Sequence, residues 1–97
     1  MSKKSIRNQL NKVCKDLNSH LPVKSKEDID ALNDITNKAF TEIENFNLYF
    51  DRDVFIDCGC DGEKVKDLVR KTDKVYFGVS DDIDEHPGAV IRYKEQH

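Results

Sequence analysis

Two cysteines and a lysine that could do chemistry lie close together in the stretch DVFIDCGCDGEKVKDLVRK, residues 53–71. The apolar run before Cys58 predicts a buried strand at 54–58, and the residues after Gly62 have helical spacing. A thiol between a strand end and a helix start has a lowered pKa, and the free N–H groups there bind anions. The stretch could therefore form a phosphate-handling loop with Cys58 as nucleophile and Lys64 as the cation.

The segment from Cys58 to Lys64 has a cysteine, five residues and a cation. It resembles the phosphate-binding loop of low-molecular-weight tyrosine phosphatases and related sugar-phosphotransfer proteins. The resemblance covers about seven residues and implies a cysteine-dependent phosphate-handling enzyme. In those families the cation is typically an arginine that binds phosphate with two hydrogen bonds, and the loop avoids acids. Here the cation is Lys64, and Asp61 and Glu63 add negative charge.

The same loop also has a structural interpretation, which we favour. Gly59 and Gly62 allow a tight turn, Cys58 packs as a small apolar residue, and a neighbouring aspartate, Asp57 or Asp61, caps the helix. A zinc site on Cys58 and Cys60 would need two more ligands from separate parts of the chain. The candidates are Cys14, His20, His86 and His97. We therefore predict no catalytic residue, no metal and no cofactor.

Two charged surfaces are candidates for binding rather than catalysis. Residues 1–26 carry seven basic side chains and one acid, whereas the whole chain has a net charge of −3. The basic face of the first predicted helix could follow a nucleic-acid backbone; it comprises Lys3, Lys4, Arg7, Lys12 and Lys15. An acidic loop could meet a basic protein partner; it comprises Asp81, Asp82, Asp84 and Glu85, followed by His86. The two surfaces could also neutralise each other within one chain or across a homodimer.

The composition indicates a folded protein of one domain, residues 1–97. Hydrophobic residues make up 37% of the 97 residues and fall in periodic blocks, as a packed core requires. Three cysteines without a secretory signal predict reduced thiols, and no apolar run approaches the roughly 18 residues of a membrane span. We expect a cytoplasmic protein without a membrane partner. The small size and the amino-acid bias suggest a phage or mobile-element origin.

Helical spacing predicts a helix over 3–19 and a longer one from 26 to about 47, with Ser25 as N-cap and Asp28 in the capping-box position. Pro22 ends the first helix. After the strand at 54–58 and the helix at 61–71, strands are predicted at 74–80 and 89–95. The helical part is thus 3–47, and the β-α-β-β part is 53–95.

This order, α-α-β-α-β-β, predicts an α+β fold with two N-terminal helices packed on a three-stranded mixed sheet. The strand at 54–58 should run parallel to the strand at 74–80, and the last strand should be antiparallel at an edge. There Arg92 and Lys94 would face water.

The apolar stripe of the second helix, with Phe40, Phe46, Tyr49 and Phe50 at its end, exceeds what so small a sheet covers. We therefore predict a homodimer. The chain is interpreted as a small regulatory protein that binds and modulates a protein partner without catalysis. Binding of nucleic acid by the basic face and phosphate chemistry at Cys58 are the alternatives.

Overall fold

The computed structural model describes residues 3–50, 70, 72–85 and 88–95, with the side chains of residues 3–5 and 50 outside that description. The described elements are α1 (Lys3–Asn18), α2 (Lys26–Glu42), β1 (Asn47–Phe50), β2 (Val75–Val79) and β3 (Val90–Glu95). Two helices and a three-stranded mixed sheet confirm the α+β class. The strand predicted at 54–58 lies outside the described residues. So does the helix at 61–71, apart from Arg70, whose backbone is helical, as is that of Thr72.

The first helix forms as its apolar spacing predicts. Leu10, Cys14 and Leu17 are buried on one side of α1, while Ile6 and Val13 are partly buried beside them. The chain leaves α1 at Asn18 and passes through a cis peptide bond between Leu21 and Pro22 before α2 begins.

The second helix starts where predicted. Ser25 has an extended backbone, and its carbonyl accepts hydrogen bonds from the N–H groups of Asp28 and Ile29. The Asp28 carboxylate accepts a hydrogen bond of 2.9 Å from the Lys24 N–H, which lies just before the helix. Ser25 is thus confirmed as the N-cap residue by position, but its side chain makes no capping hydrogen bond, so this half of the predicted capping box is not formed.

The predicted end of the second helix at about residue 47 is wrong. The helix ends at Glu42, Ile43 is extended, and Asn45 has a positive φ of 59° that turns the chain. Asn47 then starts β1, with its N–H donating to the Ala89 carbonyl at 2.7 Å. Ile43 and Phe46 remain buried, so their apolar spacing continues after the helix stops.

The sheet has the order β1-β3-β2, which puts the last strand in the centre rather than at an edge as predicted. β3 pairs antiparallel with β2, as expected, and parallel with β1. The missed strand β1 is the reason, because it occupies the second side of β3. The parallel pairing predicted for the strand at 54–58 falls outside the described residues.

Side chains alternate across the sheet and give it two distinct faces. The covered face packs against α1 and includes Val75, Phe77, Ile91 and Tyr93, which are buried, and Leu48 and Val79, which are partly buried. The Phe77 and Tyr93 rings meet edge to face with centroids 4.9 Å apart. The opposite face, called the open face below, includes Tyr49, Arg92, Gly78, Tyr76 and Lys94. Arg92 and Lys94 thus alternate with buried residues because, among the described elements, the helix that packs on the sheet, α1, lies on the opposite face.

Asn18, the last residue of α1, bonds to the backbone of β2. Its side-chain N–H donates to the Phe77 carbonyl at 2.9 Å, and its side-chain oxygen accepts the Phe77 N–H at 2.7 Å. Because both Phe77 groups bond to Asn18, they point away from β3. One side chain thus fixes the end of α1 to the outer side of β2.

Neither described helix is both long and apolar enough to cross a membrane.

Candidate functional site

Several residues singled out from the sequence lie outside the described part of the chain. They are Cys58, Cys60 and Lys64 of the candidate phosphate loop, with His86 and His97. Lys3 and Lys4 are in α1, but their side chains are not among those described. The structure therefore bears on the remaining members of the basic face and of the acidic loop.

The acidic loop is a series of turns anchored by a buried side chain. Ile83 is buried within it, and the Ile83 N–H donates to the carbonyl of Ser80, itself buried. The Ser80 hydroxyl donates a hydrogen bond to the Asp82 carboxylate, and the Glu85 N–H donates to the Asp82 carbonyl at 3.0 Å. The backbone of this loop is therefore held by internal hydrogen bonds, with Asp81 and Glu85 exposed on its surface.

Two arginines partly neutralise the acidic loop. Arg7 of α1 forms an ion pair with Asp84, with Nη2 and Oδ2 3.0 Å apart. Arg92 of β3 lies 3.8 Å from an oxygen of Asp82. The structure thus brings together residues from the two surfaces that the sequence assigned to different partners. Lys12 and Lys15 of the basic face are exposed on α1.

A groove of about 350 Å³ lies between α1 and α2, and the sequence did not predict it. Its apolar floor comprises Val13, Ile35, Ala39 and Ile43, and its remaining lining comprises Gln9, Lys12, Asp16, Lys38 and Glu42. Ala39 and Ile43 are buried, whereas Val13 and Ile35 are only partly covered. This helix groove therefore offers apolar surface between charged rims. The signal for it was the apolar stripe of α2, which was attributed to a dimer.

Cys14 and His20, the cysteine and the histidine among the described residues, lie in surroundings that favour a structural role: Cys14 is buried, and His20 lies beside Asp28. Burial raises the pKa of the Cys14 thiol to about 11, and the positive charge of Lys94 lowers it in part. Cys14 is therefore a neutral thiol near pH 7 and a weak nucleophile. The His20 ring lies 3.4 Å from Asp28, whose pKa is lowered by the Lys24 N–H hydrogen bond and by His20. Among the described residues, no three His, Cys, Asp or Glu side chains are grouped as a metal site requires.

Comparison with known protein families, with curated proteins and with solved structures gives no match for this chain.

Proposed function

We propose that this protein is a non-catalytic interaction module that binds a protein partner and modulates it, with the helix groove as the principal contact surface. The observation that supports the proposal is the partly covered apolar floor between α1 and α2, at Val13 and Ile35. Apolar surface in a concave site is typical of binding sites, since its burial by a partner is favourable.

The shape and charges of the groove favour an amphipathic helix as the bound segment. Such a helix places apolar side chains at i, i+3, i+4 and i+7 into a hydrophobic groove. The rims carry both signs of charge, with Lys12 and Asp16 on α1 and Lys38 and Glu42 on α2. A partner helix with basic and acidic residues on both sides of its apolar stripe would complement these rims.

The acidic loop, first predicted as the partner site, takes a secondary role in this proposal. Asp84 and Asp82 already lie near arginines of the same chain, so their charges are partly satisfied. Asp81 and Glu85 are the loop's remaining exposed carboxylates and could add contacts to a basic region of the partner. Charges of this kind contribute more to the association rate than to the lifetime of a complex.

Site-specific photo-crosslinking in cells that express the protein tests the proposal. A photoreactive residue replaces Lys12 at the rim of the groove, and a matched variant carries it at Lys15, which is exposed on the same helix outside the groove. We expect a protein adduct from position 12 that mass spectrometry maps to a helical segment, and little adduct from position 15. The adduct should be lost when Ile35 is replaced by Asp in a variant that still unfolds cooperatively.

Equal adducts from both positions would contradict the groove as the binding site. Adducts between two copies of this chain, with a mass of twice 11.2 kDa in light scattering, would replace the protein partner by the predicted homodimer.

A further inference from the structure

The open face of the sheet combines aromatic and basic side chains in one row. The strand register places Tyr49 of β1 beside Arg92 of β3, and Arg92 beside Gly78 of β2. Tyr49 is 53% exposed and Tyr76 is 37% exposed, while the Arg92 side chain is 44% exposed. Exposed aromatic rings beside a basic side chain offer both stacking and ionic contacts to a ligand.

Gly78 has no side chain, so the side chains of Tyr76 and Lys94 can lie over it at the β2 end of this row. A Cβ added at Gly78 would lie 3.3 Å from Cε2 of Tyr76 and 3.6 Å from Cδ of Lys94. The Tyr76 ring and the alkyl chain of Lys94 therefore lie over Gly78, next to Arg92. The order across the three strands is an aromatic ring, a guanidinium group and a second aromatic ring, with a lysine alongside.

This arrangement matches the physical requirements of single-stranded nucleic acid. Unpaired bases stack on exposed aromatic rings, and cations beside those rings bind the phosphates. Neighbouring strands are about 4.8 Å apart, so the Tyr49 and Gly78 positions are separated by roughly 10 Å across two strand spacings. Two rings that far apart can each stack a different base.

We infer that the open face binds single-stranded nucleic acid, with bases stacked on Tyr49 and Tyr76 and with phosphates bound by Arg92 and Lys94. The inference goes beyond the proposed function and does not depend on it, because the helix groove lies between α1 and α2. It also differs from the nucleic-acid alternative drawn from the sequence, which uses the basic face of α1, Arg7 included. An acidic peptide would use the two cations but would leave the two tyrosine rings unused.

The carboxylate of Asp82 lies near Arg92 and would compete with a nucleic-acid phosphate for it. Its carboxylate lies 3.8 Å from Arg92 and also accepts the Ser80 hydroxyl, so it draws on part of the charge of Arg92. Both side chains are more than one third exposed, and such ion pairs are weak. A phosphate can therefore compete for Arg92. Replacing Asp82 by Asn keeps an acceptor for Ser80 and should strengthen binding several-fold.

Fluorescence anisotropy with labelled oligothymidylate and oligouridylate of about 12 nucleotides tests the inference at about 50 mM salt. We expect saturable binding, weaker binding to a duplex of the same length, and about a tenfold loss for each of Tyr49→Ala and Tyr76→Ala. Tyr49→Phe keeps the ring and should keep most of the affinity. Binding through two cations should fall with salt at a slope of about −1.4.

Lys15→Ala on α1 is the matched control and should leave the affinity unchanged. Thermal unfolding of each variant verifies that the fold is retained, which the exposure of both tyrosines favours. The inference would be overturned by affinity that survives both tyrosine substitutions but is lost in Lys12→Ala and Lys15→Ala, since binding would then belong to α1. Equal binding of an oligoglutamate, or no binding by the unmodified protein, would also overturn it.

Discussion

On one face of the sheet Phe77 and Tyr93 are buried on the side where α1 packs. On the other face their chain neighbours Tyr76 and Arg92 are exposed. The two faces use the same three strands and the same hydrogen-bond register. Aromatic rings occur on both, yet their partners differ. On the covered face the two rings contact each other, whereas on the open face a tyrosine lies beside an arginine and another over a glycine.

This difference shows how a short strand can serve stability and binding at once. Successive side chains point to opposite faces, so in β2 a one-residue step separates a core position from a surface position. The position of α1 decides which face becomes the core. Aromatic residues alone therefore do not indicate the role of a face; the residues that surround them do.

The largest effect that tests this comparison comes from two adjacent residues. We expect Phe77→Ala to lower the free energy of unfolding by about 3–5 kcal/mol, because it leaves a cavity between α1 and the sheet. Tyr76→Ala should cost less than about 1 kcal/mol, since its ring is partly in water already. Urea denaturation followed by circular dichroism measures both. Similar losses for the two variants would show that the open face is covered in solution.

A smaller effect separates the edge of β2 from its faces. Asn18→Ala removes two hydrogen bonds from the Phe77 backbone, so we expect a loss of about 2 kcal/mol and faster exchange of the Phe77 amide hydrogen. Asn37→Ala, an exposed change in α2, should alter neither quantity by much. Unchanged exchange at Phe77 in the Asn18 variant would mean that the covered face alone holds α1 in place.

The smallest effect concerns the start of α2 and depends on pH. The pKa of Asp28 is lowered in the folded protein, so its carboxylate stabilises the fold above the ordinary pKa of an aspartate. That stabilisation is lost as the pH falls through the lower, folded-state pKa. We expect Asp28→Asn to cost about 1 kcal/mol near neutral pH, and the difference from the unmodified protein to vanish in acid.

Denaturation at several pH values, with Asp30→Asn as the exposed control in the same helix, measures this difference. A cost that stays constant into acid would mean that the charge of Asp28 is not the cause. The cost would then come from the changed hydrogen bond to the Lys24 N–H rather than from the ionised carboxylate.

The elements that the sequence predicted well are those whose periodicity ends with the element. Leu10 and Leu17 mark α1 because Pro22 follows, and the alternation of apolar and basic residues from Ile91 to Lys94 marks β3. The end of α2 was missed because Ile43 and Phe46 keep helical spacing after the chain has turned at Asn45. A buried residue can follow a helix as well as belong to it, and spacing does not distinguish the two cases.

The surfaces were harder to predict than the elements. Arg7 and Asp84 are 77 residues apart, so their ion pair depends on how α1 lies on the sheet. Predicting the residues of the open face requires the strand register, because Tyr49, Arg92 and Gly78 come from three different strands. Because the sequence did not predict β1, it assigned Tyr49 to an apolar stripe instead of a sheet. The helix groove likewise follows from the packing of two helices.

The hydrogen bonds from Asn18 to Phe77 also affect whether a further strand can pair with the outer side of β2. An outer strand with free N–H and C=O groups is a template on which a foreign strand can add, and repeated addition leads to fibrils. In β2 the central pair of these groups is occupied by a side chain from α1 of the same molecule. A strand added at β2 would have to displace the end of that helix, so this side of the sheet resists polymerisation.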